Sequence, residues 1–352
     1  MRIALVAPPW FSVPPDGHGG VETLLAVLAP AIRGAGDDVV LYSVGSSDAG
    51  VECRWLYPEA QRAALGTTDR VGVECAHVLF AYTDIAGERF DVVHDNCGYV
   101  GASVAALGSS APVLCTPHKP ISESSRRVYA LANRSPRLFF SAISEYQRGE
   151  MEGLDVVATV HNSIALDSYP LVREKDDYLV DVTRICPEKA PHRAIEIARL
   201  AGVPLKLAGM LETTPEAQQY FAERIEPYLG DGTDFVGEVG FDEKVHLLAH
   251  ARALVFPVEW PEPFGLVVAE ALACGTPALA SPRGAIPEIV RDGVEGFLHE
   301  DPAELARAVA RLDEIDPETC RRRIEERFSP HAMAAEYRRV YRTLAEAAAP
   351  HP

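Results

Sequence analysis

Two glutamates eight residues apart, at the ends of "EPFGLVVAE" (262–270), are the residues of this chain best placed to do chemistry. Glu262 lies in a proline-punctuated loop after the apolar run "ALVFP", and the pattern predicts a helix from about Phe264 to Cys274, closed by Gly275. At about 3.6 residues per turn, Glu270 follows by a little over two turns, so both carboxylates can project to one side. Phe264, Gly265 and Leu266 are expected in the first helical turn, whose amides have no intrahelical partner and can donate to an oxygen-rich ligand. Gly265 lets such a ligand approach the backbone. Taken alone, the spacing also suits a helix cap followed by a solvated charge. The helix is apolar nearly all round, however, and a glutamate buried on it needs a partner. Two carboxylates are also the equipment of glycoside hydrolysis, which requires a separation that spacing alone does not give.

Three further clusters fall at predicted strand ends. In "YLVDVTRICPEKAPHRAIEIARLAG" a strand ends near Arg184, and a turn through Cys186 and Pro187 leads to a helix beginning around Lys189. Arg184 and Lys189 flank that turn and suit a diphosphate, the Arg through forked hydrogen bonds and the Lys as a compact charge; two such residues are also often just solvated. The loop "DGHGG" joins the first strand to the first helix; it has neither the G-x-G-x-x-G spacing nor the Lys-Ser/Thr pair of a Walker A motif. Gly19 and Gly20 can still bring backbone amides close to a phosphate, or simply start a helix. His118, in "VLCTPHKP", is a cleft candidate by its position just past a strand, although one histidine of 11 also suits a surface or core role.

These motifs need a frame. Short runs rich in Val, Ile and Leu alternate with helical patterns: "RIALVAP", "DVVLYSV", "DVVHD", "PVLCTP" and "LFFSAIS", then "YLVDVTR", "LKLAGM", "DFVGEV", "ALVFP" and "PALAS". Runs apolar on both faces and separated by helices predict parallel strands with crossover helices, a doubly wound α/β architecture that occurs twice. The segment 161–177, "HNSIALDSYPLVREKDD", loses periodicity and reads as a linker, dividing residues 1–165 from 166–330. Residues 331–352 hold one amphipathic helix with Met333, Tyr337, Val340, Tyr341 and Leu344 at helical spacing. Ligands of open α/β sheets sit beyond the carboxyl ends of the strands, where all four clusters lie.

The formal charge of −18, from 33 basic and 51 acidic side chains, repels polyphosphate and anionic lipid at long range and argues against nucleic acid as a partner, while leaving room for peripheral membrane contact and for a local basic pocket that takes one small anion. "MRIALVAPPWF" offers five apolar residues before two prolines, too few for a signal peptide or a membrane span. Seven cysteines without a close pair suggest reduced thiols in a cytoplasmic protein rather than a zinc site or disulfide framework. No D-x-D motif stands at a strand end, so no metal is expected.

From "RIALVAPPW" to about Tyr341 the chain resembles glycosyltransferase family 4, the retaining, nucleotide-sugar-dependent enzymes of the GT-B fold. The resemblance is strongest from "FVGEVGFDEK" through "EPFGLVVAEALACGTPALASPRGAIPEIVRDGVEGF". It implies two Rossmann-like domains facing a central cleft, with the C-terminal helix crossing back to the N-domain. It also implies roles. Glu262 with Phe264, Gly265 and Leu266 would bind donor-sugar hydroxyls, and Glu270 the ribose. Arg184 and Lys189 would bind the diphosphate, and Gly20 would close on it. His118 would lie near the donor sugar, and Val239, through its backbone, and Lys244 would face the base. Two positions depart from the family pattern: Ser163 replaces a glycine after the last N-domain strand, and Met210 stands where a charged or glycine residue is usual. The implied reaction transfers a hexosyl group, without prosthetic group or metal, to a sugar, glycolipid or small-molecule hydroxyl. UDP is the first expectation for the nucleotide, with GDP and ADP behind it. A GT-B epimerase or phosphorylase, or a non-catalytic sugar-nucleotide-binding subunit, is the alternative.

Overall fold

The computed structural model describes residues 1–16 and 19–348; Gly17 and His18 of the "DGHGG" loop and the final four residues lie outside it. The described residues form two units: Met1–Ser163 together with the helix Pro330–Ala348, and Ile164–Ser329.

In the first unit seven described strands make one parallel sheet: β1 (Arg2–Val6), β2 (Asp38–Ser43), β3 (Glu52–Trp55), β4 (Val92–Asp95), β5 (Val113–Cys115), β6 (Leu138–Ala142) and β7 (Val156–Thr159). Their order is β3-β2-β1-β4-β5-β6-β7. Alternate residues of β1 feed two cores: Ala4 and Val6 pack with Val78, Val93 and Phe140 on one face, Ile3 and Leu5 with Leu24, Leu28 and Ile32 on the other. That two-sided burial is why the run "RIALV" is apolar throughout instead of alternating.

The helix Pro330–Ala348 completes the second of these cores with Met333, Tyr337, Val340, Tyr341 and Leu344, the stripe expected from the sequence. It also supplies a polar anchor. Tyr341 Oη lies 2.6 Å from His94 Nδ1, His94 Nε2 lies 2.7 Å from Thr116 Oγ1, and Thr116 Oγ1 lies 2.5 Å from Ser141 Oγ, all buried. Burial pushes the His94 imidazole down to about 3, so the ring is neutral and needs both partners. Tyr341→Phe strands Nδ1 in an apolar setting, and the expected loss is about 1–3 kcal/mol, read as a lower urea midpoint at unchanged m-value.

In the second unit β8 (Leu179–Val182), β9 (Leu205–Ala208), β10 (Thr233–Gly237), β11 (Ala253–Phe256), β12 (Ala278–Ala280) and β13 (Gly296–Leu298) form a parallel sheet in the order β10-β9-β8-β11-β12-β13. In each sheet the order reverses beside the first strand, between β1 and β4 and between β8 and β11, and the chain leaves both neighbours at the same sheet end. The expected linker is more ordered than its composition suggests: Ile164 and Tyr169 are buried, and Lys175 donates to Ala249 O at 2.7 Å and Thr276 Oγ1 at 2.8 Å.

Candidate active site

In the second unit the turns after β8 and β11 meet at the reversal point. Beyond β8 the chain makes a short 3-10 turn, Pro187–Lys189, passes through Ala190 in the left-handed region (φ 53°), and only then enters the helix Pro191–Ala201. Lys189 therefore sits in the turn and does not open the helix as expected. Its Nζ lies 2.5 Å from Glu262 Oε2, which also accepts from Trp260 Nε1 at 2.8 Å. The Trp260 ring covers the ammonium, 4.5 Å from its centroid. The Lys189 and Glu262 side chains are 13% and 11% exposed, so the pair is shielded but reachable.

The helix of the opening motif begins later than expected. It spans Leu266–Ala273, and Gly265, at φ 99°, is its N-cap residue with no side-chain capping bond. Phe264 and Gly265 thus precede the first turn, and Phe264 is buried edge-on against Phe328 at 5.7 Å. Glu262 is not the cap. Val268 and Ala269 both donate to the Gly265 carbonyl, which leaves the amides of Leu266 and Val267 at the open start.

Glu270, 5% exposed, is not a solvated charge either. Its Oε1 accepts from Tyr169 Oη at 2.8 Å and from Lys244 Nζ at 2.7 Å. Tyr169 packs edge-on to Phe241 at 5.7 Å, and Lys244 lies 5.4 Å from the Phe241 centroid. Burial, with Glu270 adding to it, raises the Tyr169 phenol far above its ordinary range, so it is always the donor. Both glutamates share one property: each engages protein through a single oxygen, while Glu262 Oε1 and Glu270 Oε2 have no partner among the described residues. Val239, two residues before the helix Phe241–His250 that carries Lys244, is buried. Arg184 stands apart from these pairs: it is exposed, and Nη1 donates to Glu212 Oε1 at 2.7 Å.

In the first unit Gly19 (φ 147°) precedes the helix Gly20–Gly34, and its carbonyl accepts from the Thr23 amide at 2.8 Å. Glu22, in that first turn, is 3% exposed, and burial outweighs its own amide and Lys119 to raise it to about 7. His118 Nε2 lies 2.9 Å from Asn96 Oδ1, just beyond β4. Trp260, Tyr169, Glu22 and Asn96 were not singled out from sequence. Nothing in their spacing marks them, since each is recruited by a partner 2 to 101 residues away or by burial alone.

Comparison with known proteins agrees with this architecture. The family model "Glycosyltransferase Family 4" matches residues 18–167, and "Glycosyl transferases group 1" matches residues 167–328. The MMP α-(1→4)-mannosyltransferase of Mycolicibacterium hassiacum is 30% identical over 301 residues, 73% of this chain and 72% of that one. A D-inositol 3-phosphate glycosyltransferase of Mycolicibacterium smegmatis is 32% identical over 180 residues, and the match covers 49% of this chain but only 41% of that relative. Among solved structures, AviGT4, a glycosyltransferase involved in avilamycin A biosynthesis, superposes with a TM-score of 0.74 at 25% identity, covering 99% of this chain and 98% of its own. Anabaena HepE in complex with UDP and glucose gives 0.74 at 19% identity, covering 98% and 100%. The chain accordingly belongs to glycosyltransferase family 4, and it is a glycosyltransferase of the GT-B fold.

Proposed function

We propose that this glycosyltransferase moves a hexosyl group from a nucleoside diphosphate sugar to an acceptor hydroxyl with retention at the anomeric carbon. The observation that carries the reading is the pair of glutamates, each fixed by a lysine and an aromatic donor through one oxygen and each keeping the other oxygen unpartnered. A carboxylate oxygen so placed is an acceptor for hydroxyls. Glu262 Oε1 takes hydroxyls of the transferred sugar, and Glu270 Oε2 those of the ribose. Between them, Lys189 and the open amides of Leu266 and Val267 offer positive charge to a diphosphate, with Arg184 swinging from Glu212 to join them. These groups, in place of a metal, neutralise the leaving diphosphate.

Retention follows from attack on the face the diphosphate leaves, the departing phosphate oxygen taking the acceptor's proton. Lys244 and Phe241 lie beside Glu270 and suit the base, with the Val239 backbone. The 166–330 half binds the donor in this reading, and the 1–165 half, which carries His118 and the Gly19–Gly20 turn, binds the acceptor. The acceptor is a sugar, glycolipid or small-molecule hydroxyl.

HepE, a neighbour of the same fold, holds UDP and glucose, which makes UDP the first nucleotide to try. Titration calorimetry with UDP, GDP and ADP is expected to give saturable binding with UDP tightest; no binding of any of the three would remove the donor assignment. Lys189→Ala is expected to weaken the sugar nucleotide and the free diphosphate together, by about 10- to 100-fold, as loss of one charge-assisted contact does. Equal affinity in variant and parent would exclude Lys189 as the clamp.

A further inference from the structure

The helix Phe241–His250 ends in "HLLAH" (246–250), two histidines four residues apart and so a little over one turn from each other. Their rings lie side by side, with centroids 4.4 Å apart and planes 40° from parallel. His246 is exposed and His250 half-buried, and neither ring has a hydrogen-bond or ion-pair partner among the described residues. Around the helix they stand roughly 200° and 240° from Lys244, on the side away from its bond to Glu270. Glu243, also exposed, shares their side at roughly 260°.

A helix end normally frays, because its last four carbonyls have no intrahelical donor. Here all four are taken. Leu247 O accepts from Tyr178 Oη at 2.9 Å, Leu248 O from Thr276 Oγ1 at 2.6 Å, Ala249 O from Lys175 Nζ at 2.7 Å, and His250 O from the Asp176 amide at 2.8 Å. His250 therefore stands on as firm a turn as His246, and the pair needs little ordering to close on a ligand. Two imidazole nitrogens about 2.0–2.1 Å from one zinc ion at near-tetrahedral angles put their ring centres roughly 4.5–5.2 Å apart. The observed spacing is close to that range.

We propose that His246 and His250 clip one transition-metal dication of the zinc class, with water filling its remaining positions. Imidazole suits zinc, nickel and copper, whereas magnesium and calcium require oxygen ligands. Among the described residues no group of three or more His, Cys, Asp or Glu side chains is arranged to hold a metal, so the ion has two protein ligands and stays exchangeable. The net charge of −18, with Glu243 on the same side of the helix, favours the arrival of a cation. The bound ion fastens the last two turns from the solvent side. It is independent of the proposed transfer chemistry, which uses no metal.

The test is calorimetric titration of the untagged full chain with zinc, nickel and magnesium chlorides, paired with melting curves. One zinc or nickel per chain is expected, with no heat from magnesium. His246→Gln and His250→Gln are each expected to weaken zinc at least as much as the about 10–100-fold that follows loss of a partner behind a metal ligand. Excess zinc is expected to raise the parent melting midpoint by about 5 °C, because it binds the folded chain, and to leave both variants unmoved. Nitrogen-15 spectra of the histidine-labelled parent give the same answer without mutation: two of the 11 histidines shift with zinc. Zinc held equally by both variants, or shifts in other histidines only, places the ion elsewhere and overturns the proposal. A parent that binds no zinc overturns it too, and the rings then merely stack. Magnesium bound as tightly as zinc has the same consequence, since carboxylates rather than imidazoles are then the ligands.

Discussion

Glu262→Ala lowers transfer by about 10²–10³-fold, the range seen when a preorganised charge contact at a reacting centre is removed. The expectation follows from what the side chain holds together. Glu262 Oε2 is the shared acceptor of the Lys189 ammonium and the Trp260 indole N–H, and Oε1 is the oxygen that the proposed function gives to the sugar. Alanine removes the sugar's partner and also leaves Lys189 shielded beneath Trp260 without a counter-charge. Breaking a buried pair from one side costs about 3–5 kcal/mol, and these side chains, 13% and 11% exposed, approach that limit from below. Glu262→Gln separates the two effects, since it keeps the shape and an acceptor oxygen while discarding the charge. Turnover and thermal midpoint measured together on both variants give the answer: the glutamine protein is expected near the parent midpoint with turnover still strongly reduced. A glutamine or alanine variant that turns over donor at the parent rate sinks the assignment.

Gly284→Ala disables the same carboxylate from the opposite side. Gly284 adopts φ 62°, and a Cβ built on it would lie 2.2 Å from the Glu262 carbonyl oxygen and 2.4 Å from its nitrogen. Both are backbone atoms and cannot swing aside as a side-chain tip can. The neighbouring amide, Ala285 N, donates to Glu262 O at 2.8 Å, so the two segments are locked at this distance. An alanine must push the Glu262 loop outward and also adopt a left-handed conformation, and the expected loss is about 3 kcal/mol. Transfer falls with it, while UDP binding persists, because the Glu270–Lys244–Tyr169 group does not touch residue 284. Denaturant midpoints and UDP titration of this one variant check both halves; parent-like transfer would show that the chain absorbs the methyl without moving Glu262.

The strands that sequence reading found and those it did not differ mainly in one physical respect, with the edge strand β10, found from "DFVGEV", as the exception. The ten apolar runs match strands of the two sheets, because residues such as Ile3 and Leu5 on one face and Ala4 and Val6 on the other are all buried. The strands without such a run, β3, β7 and β13, all lie at sheet edges, where "ECRW" and "VVAT" are half exposed and lose the continuous apolar signal. At the site, Glu262, Glu270 and Lys189 were legible from spacing and strand-end position and Lys244 only through the family resemblance, and the structure brings them together as two lysine–glutamate pairs. Their partners were not. Trp260 looks like one more aromatic in a proline-rich loop until its ring is seen over Lys189, and Tyr169 lies in a stretch whose composition says linker while its hydroxyl reaches Glu270, 101 residues on. The late helix start has a similar cause: Gly265 is left-handed with Ile286 Cδ1 2.7 Å from where its Cβ would be, a tertiary constraint that no periodicity encodes.

The helix Pro330–Ala348 gives the chain an order of assembly that its numbering conceals. Strands β1 to β7 are made before this helix, yet the face of their sheet that carries Ile3, Leu24 and Leu28 lacks Met333, Tyr337 and Tyr341 until the whole second unit has been translated, and His94 waits equally long for the Tyr341 hydroxyl. The half made second, Ile164–Ser329, has its whole sheet within one stretch and can close first. A nascent chain stalled before residue 330 therefore presents a finished C-terminal half and an N-terminal half with an open apolar face, the species a chaperone would hold.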